Sequence, residues 1–93
     1  MKVYISGPIT NNPNYKECFA MAEAELKVKG HTVFNPTIFD EMEGLDYEEY
    51  MTLDMCMLSM CDAIYMLNGW RNSCGSNREY GYALARDYKI LEE

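Results

Sequence analysis

Two carboxylates in this chain sit where a merely solvated role does not fit. Asp54 lies in the centre of an apolar stripe, four residues after Tyr50 and four before Leu58. An unpaired carboxylate is expensive to bury, so Asp54 is either satisfied by a neighbouring tyrosine or helix end, or used. Glu79 closes the segment Ser73-Cys74-Gly75-Ser76-Asn77-Arg78-Glu79. Ser76-x-x-Glu79 has the spacing of a capping box, in which the two side chains cap each other's backbone amides. The same carboxylate, held at a helix N-terminus, would be ionised and aimed into a crevice as a nucleophile requires. Residue type alone leaves both meanings open. Asp62 precedes the most hydrophobic strand and reads as a structural turn residue.

Other polar groups offer weaker signals. The run Ser6-Gly7-Pro8-Ile9-Thr10 can present hydroxyls and backbone amides to a phosphate or sugar. It lacks both the dinucleotide fingerprint and the phosphate-loop lysine. Arg71, Ser73 and Arg78 can clamp a phosphate, or can simply be solvated. Trp70, after Gly69, suits either a base-stacking platform or a packed position. Cys18, Cys56, Cys61 and Cys74 contain no Cys-x-x-Cys pair, and His31 is the only histidine, so no metal site is expected. Reduced and mostly buried thiols are expected instead, in a cytoplasmic protein.

Composition narrows the partners. Of 93 residues, 8 are basic and 15 acidic, a net charge of −7, which disfavours a face that binds polymeric nucleic acid. A small anionic ligand needs only a local cluster of donors and stays possible. No apolar run reaches the ~20 residues that span a bilayer, and the first residues reach a turn too soon for a signal peptide. No membrane partner is expected.

The elements that must position these residues alternate. Lys2 to Ser6 reads as a strand stopped by Gly7-Pro8. Tyr15, Cys18, Phe19, Ala22 and Leu26 form the apolar stripe of a helix over Asn14 to Lys29, closed by Gly30. His31 to Asn35 is a second strand, followed by a loop from Thr37 to Asp46. A second helix covers Tyr47 to Met60, with Leu53, Met57 and Met60 as a second apolar row. Ala63 to Leu67 is a third strand and Asn68 to Gly75 a turn. A third helix spans Ser76 to Asp87 with Tyr80, Ala83 and Leu84 inward, and Tyr88 to Leu91 is a last strand. This predicts one α/β domain over 1–93, a flavodoxin-like three-layer sandwich with a parallel sheet of order 2-1-3-4. Ligands in such sheets bind outside the carboxyl ends of the strands. Ser6 to Asn12, Asn35 to Asp46 and Asn68 to Glu79 are therefore the site-forming segments, and Ser73 and Gly75 join the substrate-facing positions. The second apolar row on helix two also predicts a homodimer or larger oligomer.

Tyr4-Ile-Ser-Gly-Pro-Ile, Gly30-His-x-Val-x-Asn-Pro, Asp54, Cys61-Asp62-Ala-Ile-Tyr and Glu79-Tyr-Gly-Tyr-Ala-Leu-Ala together resemble the nucleoside 2-deoxyribosyltransferase-like superfamily, and a small phage and bacterial branch of it in particular. The resemblance covers nearly the whole chain. It implies cleavage or exchange of the N-glycosidic bond of a deoxynucleoside or its 5′-monophosphate, by a homo-oligomer, without a cofactor. By position Glu79 matches the nucleophile, Asp54 the acid near the leaving base, and Tyr4 the residue that orients the nucleophile. Transferases of the family carry an aspartate where this chain has Ser73. The monophosphate N-hydrolases carry serine there as a phosphate contact, and the chain lacks the longer C-terminal part of transferases. The expected reaction is therefore hydrolysis of a deoxynucleoside monophosphate, with Ser6, Thr10, Arg71 and Ser73 as phosphate donors. Base exchange between nucleosides, and a non-catalytic nucleotide- or partner-binding module, are the alternatives.

Overall fold

Four short runs rich in β-branched and aromatic residues pair side by side in the computed structural model, which describes residues 1–93. In chain order the elements are β1 (Lys2–Ser6), α1 (Tyr15–Val28), β2 (Thr32–Phe34), α2 (Tyr47–Ser59), β3 (Ala63–Met66), α3 (Cys74–Ala85) and β4 (Lys89–Glu92). Every ladder is parallel and the strand order is β2-β1-β3-β4, as the alternation of strands and helices predicts. The connection from β1 runs to one side and that from β3 to the other. Between these two strands lies the crevice where such sheets bind ligands.

The pleat sorts the core into two layers. Val3 and Ile5 point to the face covered by Phe19, Ala22 and Leu26 of α1. Tyr4 points to the face covered by Met57 and Leu58 of α2 and Ala83 of α3. All residues of β1 after Lys2 are buried, as befits a central parallel strand. No helix is long and apolar enough to cross a membrane.

Several local expectations need correction. The segment after β2 holds a 3-10 helix over Pro36–Glu41, started by Asn35, whose side chain accepts from the Thr37 amide. α3 begins at Cys74, two residues before the expected Ser76, because Ser73 takes the N-cap and its Oγ accepts the Ser76 amide at 3.2 Å. Leu84, expected inward, is 51% exposed, while Ala83 beside it is buried. Of the four thiols only Cys61 is buried; Cys18, Cys56 and Cys74 are exposed. Met57, expected to meet another chain, packs within this chain's own core. The expected association row is thereby reduced to half-buried Leu53 and exposed Met60.

The end of β1 tolerates little change. The Leu67 amide donates to the Ser6 carbonyl at 2.8 Å, and a Cβ built on Gly7 would lie 2.8 Å from Leu67 Cβ. Leu67 Cδ1, also at 2.8 Å, can swing away, but Cβ is fixed to the backbone, so the strand end itself would have to move. Gly7→Ala should destabilise the protein by about 1–3 kcal/mol. A lowered urea midpoint at unchanged slope will show it.

Candidate active site

β1 presents two hydroxyls to one carboxylate. Tyr4 and Ser6 are two residues apart on a strand and so share a face. Glu79, in the second turn of α3, turns its side chain toward that face and is 5% exposed. The Tyr4 hydroxyl donates to Glu79 Oε2 at 2.5 Å, and Ser6 Oγ donates to Oε1 at 2.6 Å. Burial pushes the Glu79 carboxyl up to about 7, against the pull of the two hydroxyls, which favour its ionised form. The Tyr4 phenol is held well above its ordinary range by its own burial and by the charge of Glu79.

The capping-box reading of Glu79 does not hold. With Ser73 as the N-cap, Glu79 lies too deep in the helix to reach an N-terminal amide. Both its oxygens accept from β1 instead.

Above this carboxylate opens a cavity of about 990 Å³ at the carboxyl ends of β1 and β3. The loop from Gly7 to Asn11 forms one wall, Tyr47, Tyr50, Met51 and Asp54 of α2 another, and Asn72 to Ser76 a third, with Glu79 and Tyr4 also lining it. Asp54 is half-buried and makes no hydrogen bond to a neighbouring tyrosine, the satisfied alternative read from sequence. Burial pushes it up to about 7, and the negative charges of Glu79 and Asp40 add to the rise. Two carboxyl groups near neutrality thus share one cavity, where one can be ionised while the other holds a proton. Paired carboxyls of this kind serve as nucleophile and acid.

The remaining expected site residues divide. Gly7, Pro8, Ile9, Thr10, Ser73 and Gly75 line the cavity. At Gly75 a side chain would crowd Met51 Sδ at 3.1 Å and the Tyr47 hydroxyl at 3.3 Å. Trp70 and Arg71 do not line it. The left-handed Gly69 turns the chain so that Trp70 packs into the core, its ring centroid 4.6 Å from that of Tyr80. Arg71 lies over the outer face of that indole, 4.7 Å from its centroid, and 3.8 Å from Glu92. Ser6 is 1% exposed and its proton is committed to Glu79, so it is no phosphate contact. Arg78 reaches the cavity but is held by Glu48 through two bonds of 3.0 and 3.1 Å. Sequence reasoning missed Tyr15, Tyr47 and Tyr50 as lining residues, and it included Asp40 only as part of the segment Asn35 to Asp46. Tyr15 and Tyr47 open their helices at this edge, the one available signal. Asp40 accepts from the Tyr15 hydroxyl at 2.8 Å. No group of three or more His, Cys, Asp or Glu side chains converges to hold a metal ion.

The sequence profile of a domain of unknown function (DUF4406) matches residues 1–92. The chain belongs to this family. No curated protein matches the DUF4406 chain, but solved structures do. A 2-deoxyribosyltransferase from the psychrotolerant bacterium Bacillus psychrosaccharolyticus superposes with a TM-score of 0.77 at 22% identity, over 99% of this chain and 71% of that one. A 2-deoxyribosyltransferase from Leishmania mexicana gives 0.73 at 26% identity, over 98% of this chain. A conserved protein from Enterococcus faecalis V583 gives 0.76 at 17% identity, over 99%. The DUF4406 chain spans only 62% of each of the last two. It has the nucleoside deoxyribosyltransferase-like fold that its motifs resemble.

The raised carboxyls make stability depend on pH. Glu79 and Asp54 keep protons in the folded state that the unfolded chain, with ordinary values of 4.5 and 3.8, has already lost. The folded state therefore binds more protons between those values and about 7, and stability falls as pH rises through that window. Glu79→Gln removes one of the two groups. Its loss of stability from pH 5 to pH 8 should be smaller than that of the wild type by about 1–3 kcal/mol in urea unfolding.

Proposed function

We propose that this protein cleaves the N-glycosidic bond of a 2′-deoxynucleoside and transfers the sugar to a second base. The observation that carries this reading is Glu79, buried at the cavity floor and held at both oxygens, with a second carboxyl, Asp54, poised near neutrality in the same cavity. Two of the solved structures with this fold are 2-deoxyribosyltransferases, which supports transfer over hydrolysis.

The phosphate clamp expected from the sequence is only partly present. Of the four donors expected for a phosphate, Ser6 is committed to Glu79 and Arg71 lies outside the cavity. Ser73 Oγ accepts the cap bond from the Ser76 amide and keeps its own proton to donate, so Ser73 and Thr10 remain. Of the two cations that line the cavity, Arg78 is paired with Glu48 at the surface and Lys16 makes no ion pair. A net charge of −7 adds nothing for an anion. A sugar hydroxyl needs only one donor or acceptor.

The chemistry follows from the two carboxyls. Ionised Glu79 attacks the anomeric carbon while the bond to the base nitrogen breaks, and its electron pair leaves with the base. Asp54 gives its proton to that base. A glycosyl ester on Glu79 results. A second base then attacks the same carbon from the vacated side, Asp54 takes up its proton, and Glu79 leaves as a carboxylate. Two inversions give net retention. Tyr47 and Tyr50 offer aromatic surface to whichever base is bound.

Incubation with one deoxynucleoside and a different free base should yield a new nucleoside by chromatography. Free sugar alone would overturn transfer in favour of hydrolysis, and no released base would leave a binding module. Glu79→Gln should abolish exchange, because an amide oxygen forms no stable glycosyl ester. Asp54→Asn should slow it by ~10²–10⁴-fold, least for bases that leave without protonation. The rate should be bell-shaped around pH 7, with Glu79 on the acidic limb and Asp54 on the alkaline one.

A further inference from the structure

We infer that Ser6 is a positioning residue for Glu79, holding the carboxylate oxygen that does not attack. The inference rests on the glycosyl-transfer reading for its kinetic consequences and on geometry for its placement. Ser6 is 1% exposed, and its one hydroxyl proton is donated to Glu79 Oε1 at 2.6 Å. It has no second proton for a substrate. Tyr4 and Glu79 line the cavity and Ser6 does not, so the bond to Oε1 is on the side turned from a ligand. Oε2, with the cavity-lining Tyr4, is then the oxygen that reaches the anomeric carbon.

The hydroxyl is fixed by its backbone. Ser6 pairs with Met66 in the ladder to β3, its carbonyl accepts from the Leu67 amide at 2.8 Å, and the next residue leaves no room for a Cβ beside Leu67. A donor so placed acts twice. Before attack it favours the ionised carboxylate and holds its plane in one orientation. In the glycosyl ester Oε1 is the carbonyl oxygen. As the Oε2–carbon bond then breaks and its electron pair returns to the carboxylate, charge reappears on Oε1 and the bond from Ser6 strengthens. Ser6 thus assists both formation and breakdown of the ester without touching the sugar or the base.

Carbon-13 NMR of protein labelled at the glutamate carboxyls tests this, with the Glu79 resonance assigned by its loss in Glu79→Gln. In Ser6→Ala the Glu79 carboxyl should titrate about one pH unit higher than in the wild type. The acidic limb of base exchange should move with it, kcat should fall about tenfold and KM should stay within about twofold. Ser6→Cys, which fills the same space with a weaker donor, should lie between the two, and it serves alone if Ser6→Ala does not fold. An unmoved Glu79 titration and acidic limb would overturn the inference. So would a raised KM at unchanged kcat, the mark of a substrate contact. A raised Glu79 titration in a protein that exchanges no base would keep the placement of Ser6 and overturn the transfer reading alone.

Discussion

Everything around the site follows from the need to hold one carboxylate out of water without neutralising it. Glu79 has no cationic partner; Arg78, the cation next to it in sequence, turns outward to Glu48. Two hydroxyls from one strand do the work instead, and they leave the group able to ionise near neutral pH. A buried ion pair with arginine would have favoured the ionised form far more strongly and blunted it as a nucleophile. The pair of hydroxyls demands a strand whose residues at i and i+2 are both polar and both buried. That is unusual in the centre of a parallel sheet and tolerable only because Glu79 satisfies them.

The fold supplies the rest. Central β1 has neighbours on both sides and is buried from Val3 to Ser6, and the β3–α3 connection starts α3 beside its carboxyl end. α2 crosses over the same face and brings Asp54 to the opposite wall. Burial raises the proton affinity of both carboxyls, and the charge of Glu79 raises that of Asp54 further. The fold thereby sets the pH at which the site is singly ionised.

Much of this was legible in the residues. The alternation of short β-rich runs with amphipathic stretches predicted the parallel sheet and its order, and Asp54 stood out as a carboxylate on an apolar stripe. The position of Glu79 was visible, but its role was ambiguous because Ser76-x-x-Glu79 also has the spacing of a capping box. The bond from the Ser76 amide to Ser73 and the bonds from β1 to Glu79 decide against it. Trp70 and Arg71 misled because the left-handed Gly69 opens a 3-10 turn in which Trp70 packs into the core and Arg71 lies over its ring, outside the cavity. Met57 shows the limit of helix periodicity, which identifies an apolar row without saying whether a neighbouring helix or another molecule covers it. The lining tyrosines and Asp40 come from three separate segments, and no local pattern announces that they meet.

The central claim is that Glu79 becomes covalently glycosylated. Rapid quenching of the protein with a deoxynucleoside, in the absence of a second base, followed by peptide mass spectrometry, tests it most directly. The account predicts one deoxyribosyl group on the peptide that contains Glu79, lost when an acceptor base is added before the quench. An adduct on another residue, or steady release of base with no adduct and inverted configuration at the anomeric carbon, would contradict it.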